Sequence, residues 1–196
     1  VLVEGQRDGG SFLKWDEPLY VYDENKELKK EIERLKKETG TIILAHTYQE
    51  PDIIDIADVT GDSFFLSKKA AELKAKRVVM CGVRFMAESV KILSPETETI
   101  LPVPSATCPM AEQIAPERVR KYKGENPDAQ VVAYINTTAA LKAECDVCVT
   151  SSSAIKIVDK LDADKILFIS YSLLLFLFSF FKSSVLKFQS SSDKST

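Results

Sequence analysis

Short apolar runs alternate with amphipathic helical segments along most of the chain, and this order constrains the fold more than any other feature. The first run, 41–45, follows a helical segment at 24–39 that ends at Gly40, and further helical segments separate it from the runs at 77–80 and 99–103. Short apolar runs bounded by glycine stops are typical of buried parallel strands. The strand–helix–strand–helix–strand order therefore predicts an α/β domain with a parallel sheet.

The same order recurs 88 positions further along the chain. An ungapped shift by that distance matches residues of the first half with identical residues of the second: Ala45 with Ala133, Asp58 with Asp146, Val59 with Val147, Ser63 with Ser151. A repeated unit of this length keeps its strand and helix starts in step. We therefore predict repeated three-layer αβα units, with an extension at 1–23, a first domain at 24–104 and a second at 105–168.

The last residues differ in composition from the rest of the chain. From residue 166 onward only Lys182, Lys187, Asp193 and Lys194 are charged, and the stretch is rich in serine and phenylalanine. We expect the second unit to be incomplete, with a tail at 169–196 that is foreign to the domain. Alternatively, the tail is an apolar last element packed on the sheet. The apolar run at 166–181 is sixteen residues long, below the roughly 20 that span a bilayer, so we do not expect a membrane anchor.

Charge and cysteine content exclude several classes of protein. The net charge of −3 and the lack of a basic patch argue against nucleic acid as a partner. We expect no amino-terminal signal peptide, because the opening residues 1–12 are not a charged segment followed by an apolar one. The four cysteines are typical of cytosolic thiols or metal ligands rather than a disulfide framework. We therefore expect a cytoplasmic protein.

Polar side chains follow the predicted strands at the points where helices begin. They are, in chain order, His46, Tyr48, Ser63, Tyr134, Asn136 and Ser151. In open α/β sheets these positions face the ligand crevice. A serine at a helix start suits a carboxylate or phosphate, although capping of the helix is the simpler explanation for either serine alone. Their equivalent places in two repeats favour a shared anion site.

Two residues are candidates for chemistry on their own evidence. His46 is the only histidine, which makes it the first candidate for proton transfer near neutral pH. Cys108 precedes Pro109 in a loop between the repeats, a setting that recurs in iron–sulfur ligation. We expect Cys81 to be a small core residue. Cys145 and Cys148 form a C-x-x-C pair, but we do not expect a redox or zinc site there, because the intervening residues are typical of a buried strand.

Seven motifs together resemble the quinolinate synthase family of NAD biosynthesis, over residues 25 to 168. They are ILAHTYQ at 43–49, DIAD at 55–58, GDS at 61–63, GVRFMAE at 82–88, SATCPMA at 105–111, VAYINTT at 132–138 and CVTS at 148–151. The resemblance implies αβα domains around a pseudo-threefold axis. It also implies condensation of iminosuccinate with dihydroxyacetone phosphate to quinolinate, with a [4Fe-4S] cluster as Lewis acid. L-aspartate oxidase or aspartate dehydrogenase would supply the iminosuccinate.

The resemblance also implies roles for individual residues. Cys108 matches the first of three cysteine ligands of the cluster. Tyr48 and His46 match catalytic positions, with Tyr48 transferring protons. Substrate-binding positions fall on a further set: His46, Ser63, Tyr134, Ile135, Asn136 and Ser151. Ile135 would contribute its backbone only.

The resemblance covers about the first half of a family member, without the other two cluster cysteines. We therefore expect a truncated enzyme, inactive as an isolated chain. Two alternatives remain open, namely an α/β module that binds an anionic metabolite without a cluster, and a soluble domain tethered to a membrane by its tail.

Overall fold

The computed structural model describes residues 25–169 and the short strand at 185–187, for which the backbone alone is described. Both sheets consist of parallel strands, as the sequence predicts. The first unit contains these elements in chain order: α1 (Lys26–Thr39), β1 (Thr41–His46), α2 (Pro51–Ile56), β2 (Val59–Gly61), α3 (Ser63–Leu73), β3 (Arg77–Cys81), α4 (Arg84–Leu93) and β4 (Glu98–Ile100).

The second unit repeats this order. Its elements are α5 (Pro116–Glu125), β5 (Ala129–Tyr134), α6 (Ala139–Glu144), β6 (Val147–Val149), α7 (Ala154–Lys160), β7 (Lys165–Ile169) and β8 (Val185–Lys187). The strand orders are β2-β1-β3-β4 and β6-β5-β7-β8. The register repeats as well, since Leu44 pairs with Val59 and Val132 pairs with Val147, each 88 positions further on. The predicted repeat is therefore a structural repeat.

Each unit holds its first two strands together with one aspartate. The Asp58 carboxylate accepts the Ile43 N–H at 2.7 Å, and its other oxygen lies 3.0 Å from Lys36 Nζ. The same arrangement joins Asp146 to the Val131 N–H at 2.7 Å and to Lys123 Nζ at 2.8 Å. A charged acceptor on a strand N–H satisfies a donor that the ladder leaves open. We call these two arrangements the aspartate clamps.

Apolar side chains cover both faces of the second sheet. Val131, Leu141 and Leu167 pack on the α5 and α6 side, whereas Val132, Val158 and Phe168 pack on the α7 side. In the first unit, a cluster that includes Leu44, Leu66 and Met80 packs under α3 and α4. Helices on both faces of a parallel sheet form the predicted three-layer arrangement.

The structure differs from the sequence predictions at several places. Helix α2 and strand β2 were not predicted, because each is short and carries little periodicity. The predicted strand at 99–103 ends at Ile100, since Pro102 and Pro104 cannot donate to a ladder. The predicted apolar face of α1 is poorly covered, with Leu28 59% and Leu35 43% exposed to solvent.

Part of the tail joins the second sheet. Val185–Lys187 pairs with β7 in parallel and takes the place in this sheet that β4 takes in the first. This is the arrangement expected if the tail contributes a last element to the sheet. The predicted interruption after Ile169 concerns residues 170–184, which lie outside the described residues, as does the extension at 1–23. Among the described residues, no helix has the length and apolar composition needed to cross a membrane.

Candidate functional site

The strand order places a crevice at the carboxyl edge of each sheet. In the first unit the chain leaves β1 toward β2 on one side, and leaves β3 toward β4 on the other. The carboxyl ends of β1 and β3 therefore flank a switch point, where open α/β sheets bind ligands. The second unit has the same switch point between β5 and β7. Every site residue predicted from the sequence lies at or beside one of these two edges, apart from Cys108 in the loop between the units.

His46 ends β1 and Tyr48 follows it two residues later. The two rings make an edge contact with their centroids 4.7 Å apart, and the Tyr48 N–H donates to His46 Nδ1 at 3.3 Å. Burial lowers the pKa of His46, and the nearby Asp62 carboxylate partly offsets this. The ring is therefore neutral near pH 7, and Nδ1 acts as an acceptor, which leaves Nε2–H to donate to a ligand. The Tyr48 side chain is 90% exposed.

Ser63 occupies the first turn of α3 but does not cap it. The Asp62 carboxylate accepts the Phe65 N–H at 2.8 Å and is the capping group. Within the described part of the chain, Ser63 Oγ has no hydrogen-bond partner, so the capping explanation for this serine is wrong. Asp62 was missed by the sequence reasoning, although an aspartate directly before a helix is itself a capping signal.

Ser151 is placed differently from Ser63. It is exposed in a turn, and α7 begins three residues later at Ala154. In this turn the Thr150 hydroxyl lies 2.9 Å from Ser153 Oγ and 3.1 Å from Ser152 Oγ. The two serines match in sequence position, therefore, but not in secondary structure.

The remaining binding candidates follow β5. A small cleft lies at the carboxyl ends of β5 and β7, and its lining includes Met110, Ala111, Tyr134, Asn136 and Ile169. The Ile135 N–H donates to Val149 O at 2.8 Å, and its carbonyl accepts the Thr137 N–H at 2.9 Å. The Ile135 N–H is thus already used, and its carbonyl oxygen can accept one further hydrogen bond from a ligand.

The loop that carries Cys108 runs from the first crevice to the second. Beside β3, the Arg84 N–H donates to Ala106 O at 2.8 Å and the Arg84 guanidinium donates to Pro104 O at 2.6 Å. Five residues later, the Ala111 carbonyl accepts the hydroxyl of Thr137, next to Asn136, at 3.1 Å. Cys108 itself is partly buried against the first core. Tyr134 and Asn136 therefore share a cleft with the continuation of the Cys108 loop.

The described thiols do not complete a cluster site. In residues 25–169, no group of three or more His, Cys, Asp and Glu side chains is placed to hold a metal ion. Burial raises the pKa of Cys81 and of Cys148, and raises that of Cys145 to about 12. Burial of these three thiols opposes formation of the thiolate, the form that binds a metal.

Cys145 and Cys148 also do not fit a disulfide. The chain is extended at Cys145 and continues into β6. At about 3.3 Å per residue, their Cα atoms lie roughly 10 Å apart, beyond the ~7 Å that a disulfide can bridge. Both side chains pack instead against the α5 and α6 side of the second core.

Comparison with known proteins gives one consistent match. The family model described as "Quinolinate synthetase A protein" matches residues 30–174. The quinolinate synthase of Aquifex aeolicus is 52% identical over 147 residues, which are 75% of this chain and 46% of that protein. That of Thermococcus onnurineus is 54% identical over 142 residues, 72% of this chain and 47% of that protein. The chain spans about half the length of the curated relatives it matches.

Proposed function

The chain belongs to the quinolinate synthetase A family, and from that premise we propose that it forms the substrate-binding part of a quinolinate synthase. The proposed reaction condenses iminosuccinate with dihydroxyacetone phosphate to quinolinate, with release of phosphate and water. The observation that supports it is the shared cleft between the Cys108 loop and the Tyr134–Asn136 segment at a switch point. Both substrates are anions, and crevices at the carboxyl edges of parallel strands commonly bind such ligands.

The residues of the first unit suit the binding of substrate oxygens. Neutral His46 would donate from Nε2–H to a carbonyl or carboxylate oxygen. The Ser63 hydroxyl would bind a carboxylate or phosphate near the amino-terminal end of α3, where the helix dipole favours negative charge. Tyr48 would transfer protons during condensation, and its exposed hydroxyl is free to meet a substrate.

The residues of the second unit would hold the other side of the substrates. Tyr134 and Asn136 line the cleft, and Ile135 would add its carbonyl. Ser151 lies one strand away, at the end of β6. This division assigns one edge of the binding site to each unit, so the spacing between the units would determine how the two substrates meet.

We also propose Cys108 as one ligand of a [4Fe-4S] cluster, with the other ligands coming from residues other than those described. Such a cluster would act as a Lewis acid. Four unpaired thiols are consistent with a cytoplasmic location. L-aspartate oxidase or aspartate dehydrogenase are the proposed suppliers of iminosuccinate, because each forms an imine from the amine of aspartate.

Titration of the full chain with dihydroxyacetone phosphate, followed by ¹H–¹⁵N NMR, tests the binding proposal. We expect shifts at His46, Ser63 and Tyr134, and a loss of affinity of about tenfold in Ser63→Ala, since a hydrogen bond to a charged ligand is lost. Ser94→Ala is the matched control. Ser94 follows the carboxyl-terminal end of α4, away from the carboxyl edge of the sheet, so its loss should leave affinity unchanged. Absence of binding at millimolar ligand, or shifts confined to the amino edge, would contradict the proposal.

The reaction is tested separately. The chain is mixed with the part of the Aquifex aeolicus quinolinate synthase that the match does not cover, reconstituted anaerobically with iron and sulfide, and assayed for quinolinate. We expect product with the original chain and none with Cys108→Ala. Binding of the ligand without product in any mixture would favour the alternative, a module that binds an anionic metabolite without a cluster.

A further inference from the structure

A partly buried lysine lies where the two units meet. Lys142 on α6 donates from Nζ to Ser89 Oγ of α4 at 3.0 Å and to Thr137 O at 2.6 Å. Its ammonium also lies 5.9 Å from the centroid of the Phe85 ring, within the range of a cation–π contact. One cation thus contacts α4 of the first unit and the β5–α6 loop of the second.

The groups around this lysine are buried and connected. Ser89 is 8% exposed and Thr137 is 5% exposed. The Ser89 hydroxyl donates onward to Phe85 O at 2.8 Å, and Glu88 accepts the Ala139 N–H at the start of α6 at 2.7 Å. We call these residues the inter-unit seam: Phe85, Glu88, Ser89, Thr137, Ala139 and Lys142.

Hydrogen bonds connect the inter-unit seam to the candidate site. Thr137 accepts from Lys142 through its carbonyl and donates through its hydroxyl to Ala111 O at 3.1 Å, three residues after Cys108. Thr137 also follows Asn136, and both residues line the cleft. A displacement of Lys142 would therefore move the Cys108 loop and the edge that carries Tyr134 and Asn136.

A buried ammonium is costly unless hydrogen bonds hold it in place. Burial lowers the pKa of Lys142, and Cys148 and Glu88 partly offset this. Lys123, by contrast, pairs with Asp146 inside the second unit. Lys142 is the described lysine that bonds across the seam, and directional bonds between partly buried groups fix an orientation more strictly than apolar contact alone.

We propose that Lys142 is a positioning residue that fixes the orientation of the two units and thereby the spacing between the two edges of the substrate site. It acts through Ser89 on one side and Thr137 on the other, without touching substrate. The effect on substrate binding rests on the proposed function, whereas the effect on the orientation of the two units is independent of it.

Residual dipolar couplings of the full chain test the orientation. In the original chain, the amides of 41–100 and 129–169 should fit one alignment tensor. In Lys142→Met, which keeps the bulk of the side chain but donates no hydrogen bond, the two sets should require different tensors. Lys123→Met is the matched control and should retain a single tensor, because that lysine lies within one unit. A single tensor in a folded Lys142→Met chain would overturn the inference.

Affinity for dihydroxyacetone phosphate is the second measurement. We expect it to fall roughly tenfold in Lys142→Met, the effect of one lost buried hydrogen-bond partner, and less than about twofold in Lys123→Met. If the tensors separate but the original chain binds no ligand, the positioning role stands and the proposed function fails. If affinity falls while a single tensor persists, the positioning role is wrong.

Milder variants cover the case in which Lys142→Met does not fold. Ser89→Ala removes one acceptor of the ammonium, and Thr137→Val removes the hydroxyl that donates to Ala111 O. Each should shift the relative orientation in the same direction by a smaller amount. Unchanged orientation in both variants would contradict the role of the seam.

Discussion

The two units share a framework almost residue for residue, yet they begin the helix after their second strand differently. Strands β1 and β5, β2 and β6, and β3 and β7 are each offset by 88 positions. Helix α3, however, begins at Ser63, directly after its capping Asp62, whereas α7 begins at Ala154, three residues later than the repeat would place it. The framework and the helix start are therefore determined by different interactions.

The difference follows from what each interaction depends on. The framework depends on buried strands and on the aspartate clamp, whose residues recur in both units. The helix start depends on one side chain. Asp62 accepts an amide of its helix, but Thr150 in the equivalent place contacts the hydroxyls of its own turn. A single substitution can thus change the site edge and leave the sheet intact.

The largest effect should come from breaking the clamps. Asp58→Ala and Asp146→Ala each leave a buried strand N–H without its acceptor and a lysine without its partner. We expect each to lower the free energy of unfolding by about 3 kcal/mol, of which roughly 2 come from the unpaired amide and at most about 1 from the half-exposed ion pair. Urea denaturation of the full chain measures both losses.

The control for the clamps is Asp55→Ala. Among the described residues Asp55 pairs with Lys29, and because the Asp55 side chain is exposed its loss should cost less than about 0.5 kcal/mol. If the losses in Asp58→Ala and Asp146→Ala differed by more than about 1 kcal/mol, the equivalence of the two frameworks would be wrong, since the two aspartates make the same two contacts.

An intermediate effect should come from the caps. Asp62→Ala removes the acceptor for the Phe65 N–H and should cost about 1 kcal/mol, with loss of helical chemical shifts at 63–65. Thr150→Ala should cost less than about 0.5 kcal/mol, because its hydroxyl contacts the turn rather than the helix. Equal losses at the two positions would show that Thr150 acts as a cap and would remove the contrast between the units.

The sequence predicts the framework well because local patterns of apolar residues determine its strands. Apolar runs indicated β1 and β3, with a glycine stop before β1, and the offset of 88 positions, seen for example between Asp58 and Asp146, indicated the repeat of this order in the second unit. Short elements were missed, since three residues of β2 carry no periodicity. The poor cover of Leu28 and Leu35 on α1 was also not predictable, because amphipathic spacing shows which face is apolar but not how much of it another element covers.

The sequence predicted which residues form the candidate site better than it predicted the contacts that hold them in place. The pattern of polar residues at strand ends located His46, Ser63, Tyr134 and Asn136 at the carboxyl edges. It gave no sign of Lys142, which is an ordinary helix residue in sequence and becomes notable only because α4 of the other unit covers it. Its environment is a product of tertiary packing, and no local pattern records it.

The smallest expected effect is a dependence of stability on pH that comes from His46 in the first unit and has no counterpart at Tyr134 in the second. His46 ends β1, and Tyr134 takes the equivalent place at the end of β5. Burial lowers the pKa of His46 below its ordinary value of 6.5, so the unfolded chain binds this proton more readily than the folded chain. Stability should therefore fall as pH drops below about 7, and level off once pH is below the folded pKa.

His46→Tyr gives the first unit the residue of the second and should remove this slope, because His46 is the only histidine of the chain. Urea denaturation at pH 7.5, 6.5 and 5.5 measures the slope, and an NMR titration of the His46 ring measures its pKa directly. A slope that persisted in His46→Tyr would have to come from carboxylates. A ring that titrated above 6.5 would show that the Asp62 carboxylate outweighs burial, and would make His46 a cation at the edge where the anionic substrates are proposed to bind.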